Sequence, residues 1–202
     1  MGGLDYVLSD VLESTIRRIL GNEIERIDER LKDKWGISLS QAVTEFDKLD
    51  YILREFFGNG AYGIEQKIMD QICKVEHNQY GIWRITITNS NIVKTILSTF
   101  TSERQDILDT VNKEGRIIRD IIKISKMPTT SCYRNINKLL YDGYLVPNGY
   151  EFGSDGRRIK KYRAFFESFG CSIKNNKKTV QFDLRELSTN TSTFLKVVLL
   201  HR

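Results

Sequence analysis

At 202 residues the chain holds one large or two small domains, each able to bury its own core. Hydrophobic residues at 40%, charged residues at 28% and only two prolines exclude a disordered chain. The longest aliphatic run, Val197–Leu200, is far too short for a membrane span. Charge divides unevenly. Residues 1–98 hold 12 Lys/Arg against 15 Asp/Glu, a net of −3, while residues 99–202 hold 19 against 11, a net of +8. Any affinity for a polyanion therefore belongs to the back half, the competing reading being an ordinary solvated basic surface. The acidic opening MGGLDYVLSD is unlike the basic head of a signal peptide. Three cysteines without a Cys-x-x-Cys pair predict reduced thiols and a cytoplasmic location.

Four helices are expected over residues 4–76. Leu4–Leu20 carries Leu8, Val11 or Leu12, Ile16, Ile19 and Leu20 at helical spacing and is stopped by Gly21. Asn22–Trp35 turns Ile24, Ile27 and Leu31 inward and closes at Gly36. Ser38 and Gln41 form a capping box for a helix running unbroken to Phe57. After Gly58-Asn59-Gly60, residues Ala61–Val75 place Ile64, Ile68 and Ile72 on one stripe. Such stripes predict a compact helical bundle. Asp5, Asp10 and Glu13 suit the positive end of the first helix dipole.

No chemistry is visible in this half. Gly58-Asn59-Gly60 lacks the Lys-Ser/Thr of a phosphate loop, and His77 has no partner at metal-ligand spacing. The pattern I-L-G-N-E, L-K-D-K-W-G-I-S, F-F-G-N-G-A-Y-G-I-E-Q-K-I-M-D-Q-I resembles the small helical output domain of archaeal signalling proteins. That resemblance implies a regulatory or interaction role, with a signalling protein as partner, and no catalytic residue. Residues 77–101 read as a connector with the domain boundary near Tyr80. It contains an alternating strand, Trp83–Ile87, and a short helix, Ile92–Leu97, capped from Asn89-Ser90-Asn91.

In residues 102–165, Ser102 and Gln105 form a second capping box. Its helix carries Ile107, Leu108 and Val111, and a further helix over Arg116–Ser125 supplies five isoleucines. Pro128 halts the chain, and Thr129 or Thr130 caps a helix ended by Gly143. Cys132, Ile136, Leu139 and Leu140 form its apolar face. Ser131, Arg134 and Lys138 share the other face with Tyr141, and Asn135 lies on the margin. A helix so divided suits a DNA major groove. Tyr144–Val146 and Ile159–Arg163 then read as hairpin arms about an Asp155-Gly156 turn, beside which Arg157, Arg158, Lys160, Lys161 and Arg163 crowd five cations into seven positions.

The order P-T-T-S-C-Y-R-N-I-N-K-L-L-Y-D-G-Y-L followed by D-G-R-R-I-K-K-Y resembles the recognition helix and wing of winged helix-turn-helix regulators of the ArsR/MarR-like group, archaeal and bacterial. The resemblance covers residues 92–165 and implies transcription regulation by a DNA-binding dimer. Thr130, Ser131, Arg134, Asn135 and Lys138 are the candidates for the major groove or its flanking phosphates, with Arg134 best suited to a guanine. Tyr133 either packs or touches phosphate. Arg157, Arg158 and Lys160 would hold backbone or probe a minor groove, or else belong to an ordinary charged hairpin.

Residues 166–202 add an alternating hairpin (Phe169, Cys171, Ile173, then Val180, Phe182, Leu184) and an apolar tail, Phe194–Leu200. The hairpin pairs either with Trp83–Ile87 or with a second subunit, the tail needs a partner surface, and either the tail or the front bundle supplies the dimer interface. All three cysteines are expected to be buried thiols. The expected fold is mainly α with a small β component: a helical bundle, a winged helix-turn-helix domain and an extra C-terminal hairpin. The expected function is a sequence-specific double-stranded-DNA-binding regulator. A non-enzymatic adaptor that docks proteins is the alternative. No nucleophile–base pair, carboxylate dyad or metal cluster has meaningful spacing, so no enzyme, cofactor, metal or membrane partner is expected.

Overall fold

A computed structural model describes residues 3–185 and 191–200. The front of the chain forms α1 (Gly3–Leu20), α2 (Ile24–Trp35), α3 (Leu39–Ala42), α4 (Phe46–Phe57) and α5 (Gly60–Ile72). Next come β1 (Cys73–His77), β2 (Trp83–Ile87) and α6 (Ser90–Thr99). The basic half continues with α7 (Ser102–Val111), β3 (Arg116–Ile117), α8 (Ile118–Ser125), α9 (Thr129–Tyr141), β4 (Leu145–Phe152) and β5 (Arg158–Ala164). It ends with β6 (Ser168–Lys174), β7 (Lys177–Leu184) and α10 (Thr193–Leu200). Among the described residues no helix is long and apolar enough to cross a membrane.

The expectation of a mainly α chain with a small β component, a helical bundle followed by a winged helix-turn-helix domain and an extra C-terminal hairpin, is overturned by the sheets. The structure is mixed α/β, 57% helix and 22% strand. Among the described residues seven strands form two antiparallel sheets, one ordered β1-β2-β7-β6 and the other β3-β5-β4. The first sheet joins the connector region to the late hairpin. Trp83 lies opposite Leu184 and Ile87 opposite Val180, so the late hairpin pairs with the connector strand.

Three local departures have physical reasons. The helix expected to run to Val75 stops at Ile72, because Cys73, Val75 and His77 alternate with Lys74 and Glu76 and pair with β2, Val75 opposite Ile85. His77 stacks on Trp83 with ring centroids 4.1 Å apart. The helix expected from Ser38 to Phe57 breaks between Ala42 and Phe46. There the Phe46 N–H donates to Thr193 Oγ1 at 3.0 Å, so a side chain of α10 supplies the acceptor that opens α4. The Ser38–Gln41 contact does form, Ser38 N–H donating to Gln41 Oε1 at 3.0 Å. Its counterpart at Ser102 does not: Ser102 is already helical and Gln105 donates to the Phe100 carbonyl instead.

The apolar tail is covered from within the chain. Phe194, Leu195, Val197 and Val198 are buried, and the Phe194 ring meets Phe46 edge-on at 4.8 Å between centroids. Asp5 anchors the arrangement, although the charge pattern assigned it only to a helix dipole. Fully buried, its carboxylate accepts from Ser192 Oγ (2.5 Å), the Thr193 N–H (2.6 Å) and Thr193 Oγ1 (2.6 Å), while the Leu4 N–H donates to Thr191 O at 2.9 Å. Residues 186–190 and 201–202 of the expected tail segment lie outside the described residues. An aromatic cluster, Phe100, Tyr144, Phe165, Phe166, Phe169 and Phe182, joins the two sheets' neighbourhoods, with Phe100 stacked flat on Phe169.

Candidate nucleic-acid interface

Helix α9 begins at Thr129, with Pro128 in the capping position and no side-chain cap from Thr129 or Thr130. Its apolar stripe is anchored as the periodicity requires: Cys132, Ile136 and Leu139 are buried. Asn135 belongs to this inner side. It is only 5% exposed, so it lies in the helix interface rather than on the outer margin. Its Nδ2 donates to Glu103 Oε2 at 2.6 Å, and Arg104 Nε donates to its Oδ1 at 3.2 Å. Arg104 also donates to the Thr99 carbonyl at 3.3 Å. A buried amide with both ends engaged fixes one rotation of α9 over α7, since any other would strand polar groups.

Because α9 is held in that rotation, Thr130, Tyr133, Arg134 and Lys138 are exposed, and Ser131 is half-buried at 3.4 Å from Glu103 Oε2. Tyr133 is 45% exposed, so it faces outward rather than packing. Lys138 pairs with Asp142 at 2.8 Å and sits near the Tyr141 ring. Arg134 has no ion pair or hydrogen bond with any described residue.

The β4–β5 hairpin has longer arms than its apolar residues suggested. Gly153 N–H donates to Arg157 O and Gly156 N–H to Gly153 O, both at 2.9 Å, with Gly156 at φ +75 as the tight turn demands. Asp155 accepts the Arg157 N–H at 3.1 Å and pairs with its guanidinium at 3.2 Å. Arg158 and Lys160 are exposed. Strand β3 joins through Arg116 opposite Tyr162, so the hairpin is tied to the helices that carry α9.

Sequence reasoning missed two members of this surface. Tyr150 is 57% exposed and Phe152 67% exposed, both on the outer part of β4. The signal was the alternation Tyr150-Glu151-Phe152 directly before the turn. Cys171 corrects another expectation: Cys73 and Cys132 are buried, but Cys171 is exposed on β6. Behind the end of α9 a cleft of about 1110 Å³ runs between α1, α6 and α9, bordered by Tyr6, Asp10, Thr99, Arg104, Lys138 and Tyr141. No protein-family model, curated protein or solved structure matches this chain.

Proposed function

We propose that the chain is a sequence-specific double-stranded-DNA-binding transcription regulator. Helix α9 enters the major groove, and the β4–β5 hairpin rests on the backbone or the adjacent minor groove. A homodimer on two-fold sites is part of the proposal, as is a regulatory role for the helical front, acting where α1 meets the end of α9. The observation that carries it is uncompensated positive charge. Between Lys123 and Arg163 nine Lys/Arg stand against three acids, and two of those, Asp142 and Asp155, already hold Lys138 and Arg157. Arg134, Arg158 and Lys160 stay exposed without an acid partner among the described residues. Phosphates would supply the missing anions, with release of condensed counterions as the driving force.

The test is duplex binding followed by fluorescence anisotropy across salt. Log affinity should fall linearly with log salt at a slope of about −0.9 for each phosphate neutralised, so roughly −3 to −5 for the cations named. A chain that leaves duplex unbound at low salt would turn the same surface over to a protein partner, the adaptor reading.

A further inference from the structure

We propose that Phe152 is a wedge that enters a base step from the minor groove and kinks the duplex, with Tyr150 packed behind it and Arg158 and Lys160 on the flanking phosphates. The inference rests on the duplex-binding reading above and adds a mode of contact to it. Strand register supplies the geometry. Tyr150 lies opposite Lys160, Glu151 opposite Ile159, and Phe152 opposite Arg158. Alternation along each strand then puts Tyr150, Phe152, Arg158 and Lys160 on one face, with Glu151 and Ile159 on the other. This face carries two aromatics and two cations and no acid. The Arg158 guanidinium carbon stands 6.0 Å from the Phe152 ring centroid, keeping the charge beside the apolar surface.

The exposure of Phe152 is selective. Just beyond the hairpin, Phe165, Phe166 and Phe182 are buried in the aromatic cluster, and Phe152 is the one exposed phenylalanine among the described residues. Phe152 is the last residue of its arm, next to a turn closed by backbone hydrogen bonds, so the ring is presented from a preorganised tip. An apolar side chain at the end of a cationic hairpin matches how architectural proteins unstack a base step and recover the loss through phosphate contacts. Charge complementarity selects nucleic acid as the occupant: the face carries two cations and no acid, and an acidic backbone is what those two cations lack.

The experiment uses the full chain and a mixed-sequence duplex with a central TpA step, which is the easiest kind to open, dye-labelled at both ends, at low salt. Bound wild type should raise end-to-end energy transfer, reporting a bend of about 20–90°. Phe152→Ala should bind about tenfold more weakly and leave the duplex straight, while Phe152→Leu keeps part of the bend. Arg157→Ala with Arg158→Ala should weaken binding yet still bend whatever duplex is bound. Wild type that binds with salt dependence but without bending overturns the wedge and leaves the DNA-binding reading intact, as does Phe152→Ala bending the duplex fully. Absence of duplex binding by wild type overturns both. Circular dichroism matching wild type confirms that the variant, altered at an exposed position, is folded.

Discussion

Gly3 and Gly143 meet backbone to backbone. A Cβ placed on Gly143 would stand 2.6 Å from the Gly3 carbonyl oxygen and equally close to Tyr6 Cβ, while one on Gly3 would strike the Gly143 carbonyl oxygen and Phe165. Gly143 also takes φ +80 to end α9, so helix termination and close approach fall on one residue. This is where the first helix touches the end of the helix proposed to read DNA. Gly143→Ala should lower stability by about 1–3 kcal/mol, through both the left-handed strain and the collision. Thermal unfolding checks this, and a melting temperature equal to wild type would show that the contact is loose.

Asp5 makes stability depend on acidity in an unusual direction. Burial raises its pKa to about 6, although the hydroxyls of Ser192 and Thr193 and the backbone N–H groups of Thr193 and Phe194 pull the other way. The folded state therefore binds a proton more tightly than the unfolded chain. Its contribution is fully present below about pH 4, declines as pH rises to about 6, and is flat above. Ionisation of this group costs roughly 3 kcal/mol across that window. Asp5→Asn should flatten this component of the pH–stability curve, and Asp5→Ala should release α10, read as faster amide exchange in residues 193–199.

Glu65 adds a second component of the same sign. It is fully buried beside Asp50, with Arg54 Nη2 3.9 Å away, while the Nε of the same guanidinium is engaged by Asp50 at 2.7 Å. Desolvation, then the hydrogen bond and charge of Asp50, push its carboxyl well above the ordinary range. Stability from this group is lost as pH rises above its unfolded value of 4.5. Glu65→Gln should be at least as stable as wild type in alkaline solution and lack that decline in denaturant titrations. A steeper decline in the variant would mean that Glu65 is ionised and held by Arg54.

Arg134 and Asn135 are adjacent but should fail differently. Arg134→Ala removes an exposed fork and should relax base preference by about 1–3 kcal/mol at one position without changing stability. Asn135→Ala strands Glu103 and Arg104 and should cost about 1–3 kcal/mol of stability. Arg157→Ala with Arg158→Ala should weaken binding to all sequences alike and flatten the salt slope. Competition binding against a randomised duplex pool, with unfolding curves alongside, separates the three.

Helical stripes such as Leu8, Ile16 and Leu20 could be read directly, because one face of each helix is buried whatever covers it. The same holds for Cys132, Ile136 and Leu139 under α9 and for the hairpin turn at Gly156. The interruption at Thr44 was not legible, since its cause, Thr193, is a partner 147 residues from Phe46. Nor was β1, five residues in which helical continuation and alternation both fit until β2 is alongside. Asn135 shows the limit at the site itself. Its place on the margin of the stripe was visible, but whether a marginal amide turns in or out depends on Glu103 and Arg104 across the interface.

The grip of Asp5 on Thr193 also bears on biosynthesis. Asp5 and Thr193 are 188 residues apart in sequence, so on the ribosome α1 to α5 wait, incompletely filled, until α10 has emerged. Loop closure over that span is slow, and the vacancy left for Phe194 is meanwhile open to chaperones or to misassociation. A stop codon shortly before residue 191 would thus damage α1 and α4 more than the strands next to the cut.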